Sequence, residues 1–258
     1  MNTKSVKTSE LPSYLASWSL PWVIFTLLVF AGLIKLSLWQ FERSAEKQQR
    51  LSNIAVLSQQ QALDLNVVLT DTNINAGSIN DIPVALAGTF NNQYKFLLDN
   101  QTHKGKLGYR VLQVFHDIRS KKSVLVNLGW VQGSIDRSFI PTLSDIKNTK
   151  NILGNIRIIE QGIVLTEEQL SIDNWPQRIQ QINIDKISRL INIKLLPFVV
   201  FLDKKEDIGY IKNWQPIVMP PEKHTGYAVQ WLTLAIAWLS LMIWASFKTY
   251  RSQIDSKK

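Results

Sequence analysis

The chain contains no cysteine, and only three histidines and three methionines occur among its 258 residues. The lack of cysteine excludes disulfide bonds, thiol catalysis and thiolate metal sites. A metal ion or a haem must therefore be held by histidine, methionine or carboxylate side chains. The sequence also lacks a glycine-rich phosphate loop, an H-E-x-x-H pair and a G-x-S-x-G motif, so no common nucleotide-binding or hydrolytic signature is present.

Basic residues are in excess, but they are not clustered. The formal net charge is +9, and no basic cluster in the central part of the chain resembles a nucleic-acid footprint. We therefore predict no nucleic-acid partner and interpret the charge as a mildly basic face toward anionic lipid.

Two long apolar runs lie near the ends of the chain. Leu20–Trp39 has 20 residues with one charge, Lys35, and Tyr227–Phe247 has 21 residues with none. Each is long enough to cross a bilayer as a helix. The first run is too long for a cleaved signal peptide and ends in bulky residues, which favours an uncleaved anchor. Lys35 lies near the end of its run, where snorkelling to the headgroups is favoured over a role in transport. Three tryptophans are placed as interfacial anchors: Trp18, Trp22 and Trp39.

These runs predict the organisation of the chain. Both short tails are basic, which places both in the cytoplasm and exports the long middle segment. The first 14 residues have no arginine and contain Glu10, which favours a bacterial inner membrane over a mitochondrial one. The predicted parts are a cytoplasmic tail (1–19), a first transmembrane helix (20–39), a periplasmic soluble domain (40–223), a second transmembrane helix with its interfacial lead-in (224–247) and a cytoplasmic tail (248–258).

The middle segment has the pattern of an α+β domain. Residues 42–63 are rich in helix formers and predict that the first helix continues outward, whereas residues 71–81 indicate a loop. Short β-rich runs then follow one another with little helix between them, apart from a candidate short helix at 185–191. We predict a mostly antiparallel sheet or small barrel with few helices, flanked by the two membrane helices. The predicted strands are 84–90, 94–99, 109–115, 123–131, 155–160, 178–184 and 197–203.

His224 lies one turn before the second apolar run. At 100° per residue, five side chains fall within about 60° of it on one helical face: Tyr227, Ala228, Trp231, Ala235 and Trp238. One interpretation is that this face holds a flat apolar macrocycle, with the imidazole as its axial ligand. The other is that the small residues pack on the first helix and the tryptophans mark the membrane boundary. Spacing alone favours the second.

The other polar candidates are weaker. His103 falls in a predicted hairpin loop and His116 at a strand end, where solvated side chains are the favoured interpretation. Four further polar residues lie in or beside strands and form either internal pairs or a site, which sequence does not distinguish: Asp99, Asn127, Arg137 and Arg157.

A series of short motifs, in order along nearly the whole chain, resembles the surfeit locus protein 1 family. Two positions depart from the family pattern, because Ser37 replaces a usual glycine and Leu128 replaces an arginine that commonly precedes G-W. Any role of that arginine therefore does not carry over. The motifs are L-S-L-W-Q-F-E-R-S-A-E-K (36–47), G-T-F-N-N-Q-Y-K-F-L-L-D-N-Q (88–101), G-Y-R-V (108–111), V-L-V-N-L-G-W-V (124–131), Arg137 with Pro141, N-W-P-Q-R-I-Q-Q-I-N (174–183), N-W-Q-P (213–216) and P-E-K-H-T-G-Y-A-V-Q-W (221–231).

The resemblance implies a non-enzymatic assembly factor, or chaperone, for haem–copper cytochrome c oxidase, which assists the insertion of haem a into the catalytic subunit. It implies transient binding of haem a with His224 as axial ligand of the iron, and we expect Tyr227 and Trp231 to flank the macrocycle. The implied partners are that catalytic subunit, haem a synthase and the lipid bilayer. Two alternatives stay open: a membrane-anchored sensor or interaction protein that binds no haem, and a periplasmic hydrolase or oxidoreductase with an unrecognised carboxylate site.

Overall fold

A computed structural model describes residues 20–70, 79–136, 139–159 and 174–255. The predicted N-terminal tail with Trp18, most of the predicted loop at 71–81, and Arg137 lie outside the described residues. In chain order the elements are α1 (Leu20–Ser58), β1 (Leu63–Asp64), α2 (Leu65–Thr70), β2 (Pro83–His103), β3 (Lys106–Asp117), β4 (Lys122–Gln132), β5 (Lys150–Arg157), β6 (Gln177–Ile179), α3 (Ile184–Ile191), β7 (Leu195–Leu202) and α4 (Pro221–Asp255).

The elements form two compact units. One contains α1 up to Leu51 together with α4, and the other extends from Ser52 to Pro216. The predicted fold class is confirmed: two long apolar helices flank a mixed sheet with few helices.

The sheet of the second unit has the order β1-β2-β3-β4-β7-β5, and β6 pairs with β2. Four of its ladders are antiparallel, while the β1–β2, β2–β6 and β4–β7 ladders are parallel. The sheet curls, because β5 also pairs with the first part of β2, at residues 83–88. It is nevertheless not a closed barrel: farther along the long strand β2, residues 96–98 pair with β6 instead.

Apolar side chains cover both faces of this sheet. In β4, Val124 and Val126 belong to one buried cluster and Leu125 to another, as expected when successive side chains point to opposite faces. The helix α3 covers the second cluster with Ile187 and Ile191. This double burial explains why β4 is an almost continuous apolar run.

Several predicted boundaries are corrected. The runs 84–90 and 94–99 belong to the single strand β2, which changes register between Phe90 and Lys95. The predicted helix at 42–63 is too long, because α1 ends at Ser58 and Leu63 pairs with β2.

The region before α3 differs most from the prediction. The predicted strand at 178–184 is wrong beyond Ile179, because Asn183 is the N-cap of α3 and its side chain accepts a hydrogen bond from the Lys186 amide at 2.9 Å. The short helix predicted at 185–191 is confirmed by α3.

The second unit contains a buried ion pair between Asp81 and Arg157, whose guanidinium also lies 4.8 Å from the centre of the Trp214 ring. Both charged side chains are less than a tenth exposed. Such a pair is costly to break from one side, because the remaining charge stays buried without its counter-ion.

We expect Asp81→Asn to lower the free energy of unfolding of this unit by about 3–5 kcal/mol, since it leaves Arg157 without its counter-ion. Chemical denaturation of the full chain in detergent, followed by near-ultraviolet circular dichroism, measures the change. The control is Asp64→Asn. Asp64 pairs with the exposed Arg119, whose hydrogen bond lowers the pKa of Asp64. Equal losses in the two variants would contradict the prediction.

Position 129 requires a glycine, because its backbone has a positive φ and because neighbouring atoms leave no room for a side chain. Its φ is +113°, and a Cβ atom placed there would lie 2.8 Å from the carbonyl carbon of Tyr210. The residue before it, Leu128, is the extra residue of a bulge opposite Val111 and Leu112 in β3.

We expect Gly129→Ala to destabilise the second unit by at least about 1–3 kcal/mol, the usual cost of one strained backbone position. The control Gly105→Ala also has a positive φ, of 76°, but its added methyl group would meet no atom within 4 Å. The Gly129 variant should therefore lose more than the control in the same denaturation experiment. A smaller loss than the control would contradict this interpretation.

Candidate functional site

The helices α1 and α4 pack side by side in opposite directions within the first unit. Most of their buried and half-buried residues recur at alternating intervals of three and four, the pattern of two helices packed through a heptad seam. We call these positions the seam. In α1 they are Val23, Thr26, Phe30, Leu33, Ser37, Gln40, Ser44 and Lys47, and in α4 they are Pro221, His224, Ala228, Trp231, Ala235, Trp238, Met242 and Ala245.

Polar contacts cross the seam at four levels. Ser44 Oγ donates to the Pro221 carbonyl at 2.9 Å, and Ser37 Oγ donates to the Ala228 carbonyl at 2.9 Å. Farther along, Trp238 Nε1 donates to the Thr26 carbonyl at 3.2 Å. The fourth contact, between Gln40 and His224, lies between the two serine levels. Together these contacts define one antiparallel register.

His224 lies in the first turn of α4, which begins at Pro221. Proline suits this position, because the missing N–H would have no partner inside the helix. The ring is half-buried, and its Nδ1 lies 2.8 Å from Gln40 Oε1. A carbonyl oxygen only accepts, so a neutral ring that hydrogen-bonds to it carries its hydrogen on Nδ1 and its lone pair on Nε2. Among the residues that the structure describes, Nε2 has no hydrogen-bond partner.

The structure separates the other residues predicted on this face. Trp231 is a half-buried seam residue, whereas Tyr227 lies beside the seam with 45% of its surface exposed. Ala228 and Ala235 are fully buried. The two alanines therefore belong to the helix interface, as the packing interpretation predicted, and a ligand at His224 would contact the Tyr227 side of the helix rather than the alanines.

The surfaces of α1 and α4 away from the seam are apolar. Only 11% of the most apolar stretch of each helix is buried, unlike the core helix of a soluble protein. Exposed apolar surface of this extent is typical of contact with lipid. Lys35 is exposed and outside the seam, as snorkelling requires. Trp22 and Trp39 are exposed as well, as expected for anchors at the membrane boundary.

The other candidate residues are distributed over the second unit. The two remaining histidines each contact one neighbouring side chain. His103 packs on Trp130 with ring centres 5.2 Å apart, and His116 Nδ1 lies 3.2 Å from Ser123 Oγ on the neighbouring strand. Asp99 accepts from the Asn100 amide and Asn127 from the Gly129 amide, at 2.7 and 2.9 Å.

Metal-ligand groups and carboxylate pKa values were compared with what catalysis in the described part of the second unit would need. The residues described contain no group of three or more histidine, aspartate or glutamate side chains that could hold a metal ion. Hydrogen bonds from Arg119 and Lys95 lower the pKa values of Asp64 and Asp145, respectively. A general acid at neutral pH needs a raised pKa, so the lowered pKa values of Asp64 and Asp145 are the opposite of what that role requires.

Gln40 contacts His224 but was not among the site residues predicted from the sequence. It is 184 positions away from the histidine, so local spacing does not connect them. A weak signal was present: Ser37, Gln40 and Ser44 are uncharged polar residues spaced by three and four along α1. Such spacing places them on one face toward a partner helix.

Comparison with known proteins identifies one family. The model of the SURF1 family matches residues 27–236, most of the chain. This match confirms the resemblance found in the motifs. A search of curated proteins found no match.

The seam can be tested by cross-linking, because the chain has no cysteine of its own. We expect Ser37→Cys with Ala228→Cys to form a disulfide under mild oxidation, since both positions are buried and opposite each other. Mass spectrometry after alkylation counts the thiols that remain. The control pair, Leu36→Cys with Val229→Cys, lies at the same level but on exposed positions, and it should stay reduced. Equal alkylation of both pairs would contradict the seam.

Proposed function

We propose that the chain, which belongs to the SURF1 family of cytochrome c oxidase assembly factors, holds haem a at the membrane boundary. From there it helps the insertion of this haem into the oxidase. The observation that carries this proposal is the His224 ring, whose Nδ1 is held by Gln40 while Nε2 has no partner among the described residues. A neutral imidazole with one available nitrogen is the usual axial ligand of haem iron.

The chemistry of the available side chains agrees with a haem. Without cysteine, histidine is the strongest haem ligand that the chain offers. When bound, haem a supplies an iron that accepts a nitrogen lone pair. His224 provides that lone pair, and the exposed Tyr227 and half-buried Trp231 offer aromatic surface on the same side of α4.

The position of His224 also suits a water-insoluble cargo. His224 lies three residues before the uncharged run Tyr227–Phe247. A macrocycle with a long apolar tail is poorly soluble in water and needs apolar surroundings close to its ligand. The exposed apolar surface of α4 beyond His224 meets that need.

The cellular setting belongs to the same proposal. The two helices anchor the chain in a bacterial inner membrane with both termini in the cytoplasm, and the second unit is periplasmic. The partners are the catalytic subunit of cytochrome c oxidase, which receives the haem, and haem a synthase, which supplies it. The role is that of a chaperone, with no catalytic residue of its own.

We expect the His224→Ala variant, purified from cells that synthesise haem a, to carry much less haem a than the unaltered chain, because the axial ligand is removed. The optical spectrum of the detergent-purified protein measures the haem per chain. His103→Ala and His116→Ala are the controls and should keep the haem of the unaltered chain. Unchanged haem in His224→Ala would exclude the proposed ligand.

A further inference from the structure

The contact between Gln40 and His224 has a chemical consequence for the ring. We propose that Gln40 is a positioning residue, which holds the proton of His224 on Nδ1 and presents Nε2 as the ligand atom. The role of Gln40 toward haem rests on the proposed function, whereas the position of the proton is a property of the chain alone.

The hydrogen bond between Gln40 and His224 has a defined direction. Gln40 Oε1 lies 2.8 Å from His224 Nδ1, a normal length for an N–H donor and a carbonyl acceptor. An imidazole in water prefers the proton on the other nitrogen, Nε2. An acceptor at Nδ1 reverses that preference, because only one neutral form can donate to it.

The position of the acceptor residue is set by the packing of the two helices. Gln40 lies in the seam, between the level of Ser37 with Ala228 and the level of Ser44 with Pro221. Ser44 also contacts Thr225, with 2.9 Å between the hydroxyl oxygens. These contacts set the register of the two helices on both sides of Gln40. The packing of the helices therefore places Gln40 opposite the histidine, within reach of its ring.

The same contact affects how the ring can bind a metal. A histidine that binds a metal usually donates its second N–H to an oxygen, which fixes the ring and makes the ligating nitrogen more basic. Loss of such a partner typically weakens metal binding by about 10- to 100-fold. In this chain the described residues show that arrangement already formed around His224.

The position of the proton is measured without haem. Nitrogen-15 spectra of the full chain in detergent distinguish a protonated from an unprotonated ring nitrogen, and loss of signals in His224→Gln assigns the ring. We expect a protonated Nδ1 and an unprotonated Nε2 in the unaltered chain, and a shift of the proton toward Nε2 in Gln40→Leu. The same proton position in both proteins would overturn the inference.

The effect on a ligand is measured with ferric protoporphyrin IX as the probe. We expect Gln40→Leu to bind it about 10- to 100-fold more weakly than the unaltered chain, and Gln230→Leu, an exposed glutamine of α4, to bind it equally well. Gln40→Glu keeps an acceptor and makes it stronger, so the iron–imidazole stretching frequency of the reduced complex should rise. An unchanged frequency in Gln40→Glu, or unchanged affinity in Gln40→Leu, would overturn the inference about the ligand.

These outcomes separate the two proposals. If His224→Ala binds the probe as well as the unaltered chain, the proposed haem site is wrong, while the nitrogen-15 spectra still decide the role of Gln40. If His224→Ala loses the probe and Gln40→Leu does not, the haem site stands and the positioning role is wrong. The disulfide between Ser37→Cys and Ala228→Cys, added to each Gln40 variant, shows whether the seam is intact. Should Gln40→Leu lose that cross-link, the comparison of Gln40→Glu with the unaltered chain decides.

Discussion

α1 and α4 approach so closely that the hydroxyl of Ser37 reaches a backbone carbonyl of the opposite helix at Ala228. This approach is possible because Ala228 and Ala235 are small and fully buried. A polar side chain near hydrocarbon must find a partner inside the protein, and the seam supplies one for Ser37, Gln40 and Ser44. The contact between Gln40 and His224 depends on the same spacing, since bulkier seam residues would push the helices apart. The alanines therefore contribute to the candidate site through the distance that they set.

Local patterns in the sequence were sufficient for the elements whose signals are local. The long apolar helices, the short helix α3 and the central strands β3 and β4 follow from apolar runs, periodicity and capping. The failures lie where a distant partner decides the outcome. Residues 91–93 interrupt the apolar alternation, yet β2 continues through them because β3 pairs with it on both sides of the register change. Similarly, β6 is limited to Gln177–Ile179 by its pairing with β2 and by the cap of α3.

The candidate site shows the same division. His224 was recognisable because a histidine directly before a membrane run is a local feature. Its partner was not, because the seam joins positions 184 residues apart. Spacing favoured the packing interpretation of the α4 face without excluding the other, since a helix interface and a ligand surface both require small and aromatic residues on one side. The burial of Ala228 and Ala235 assigns the centre of that face to the interface and leaves its exposed edge, at Tyr227, for a ligand.

Under the proposed function, the neutral side chain of Gln40 suits a carrier that must release its cargo. A carboxylate beside the imidazole would make Nε2 a stronger ligand, but it would also place a negative charge in a half-buried interface between two helices, where desolvation is costly. Glutamine orients the ring through a neutral acceptor, so the ligand is presented without that charge and with only a moderate gain in basicity. An enzyme that keeps its haem gains from the tightest ligand, whereas a protein that passes haem on needs a ligand strong enough to select the iron and weak enough to be replaced. In the proposed function, the neutral contact between Gln40 and His224 meets both requirements.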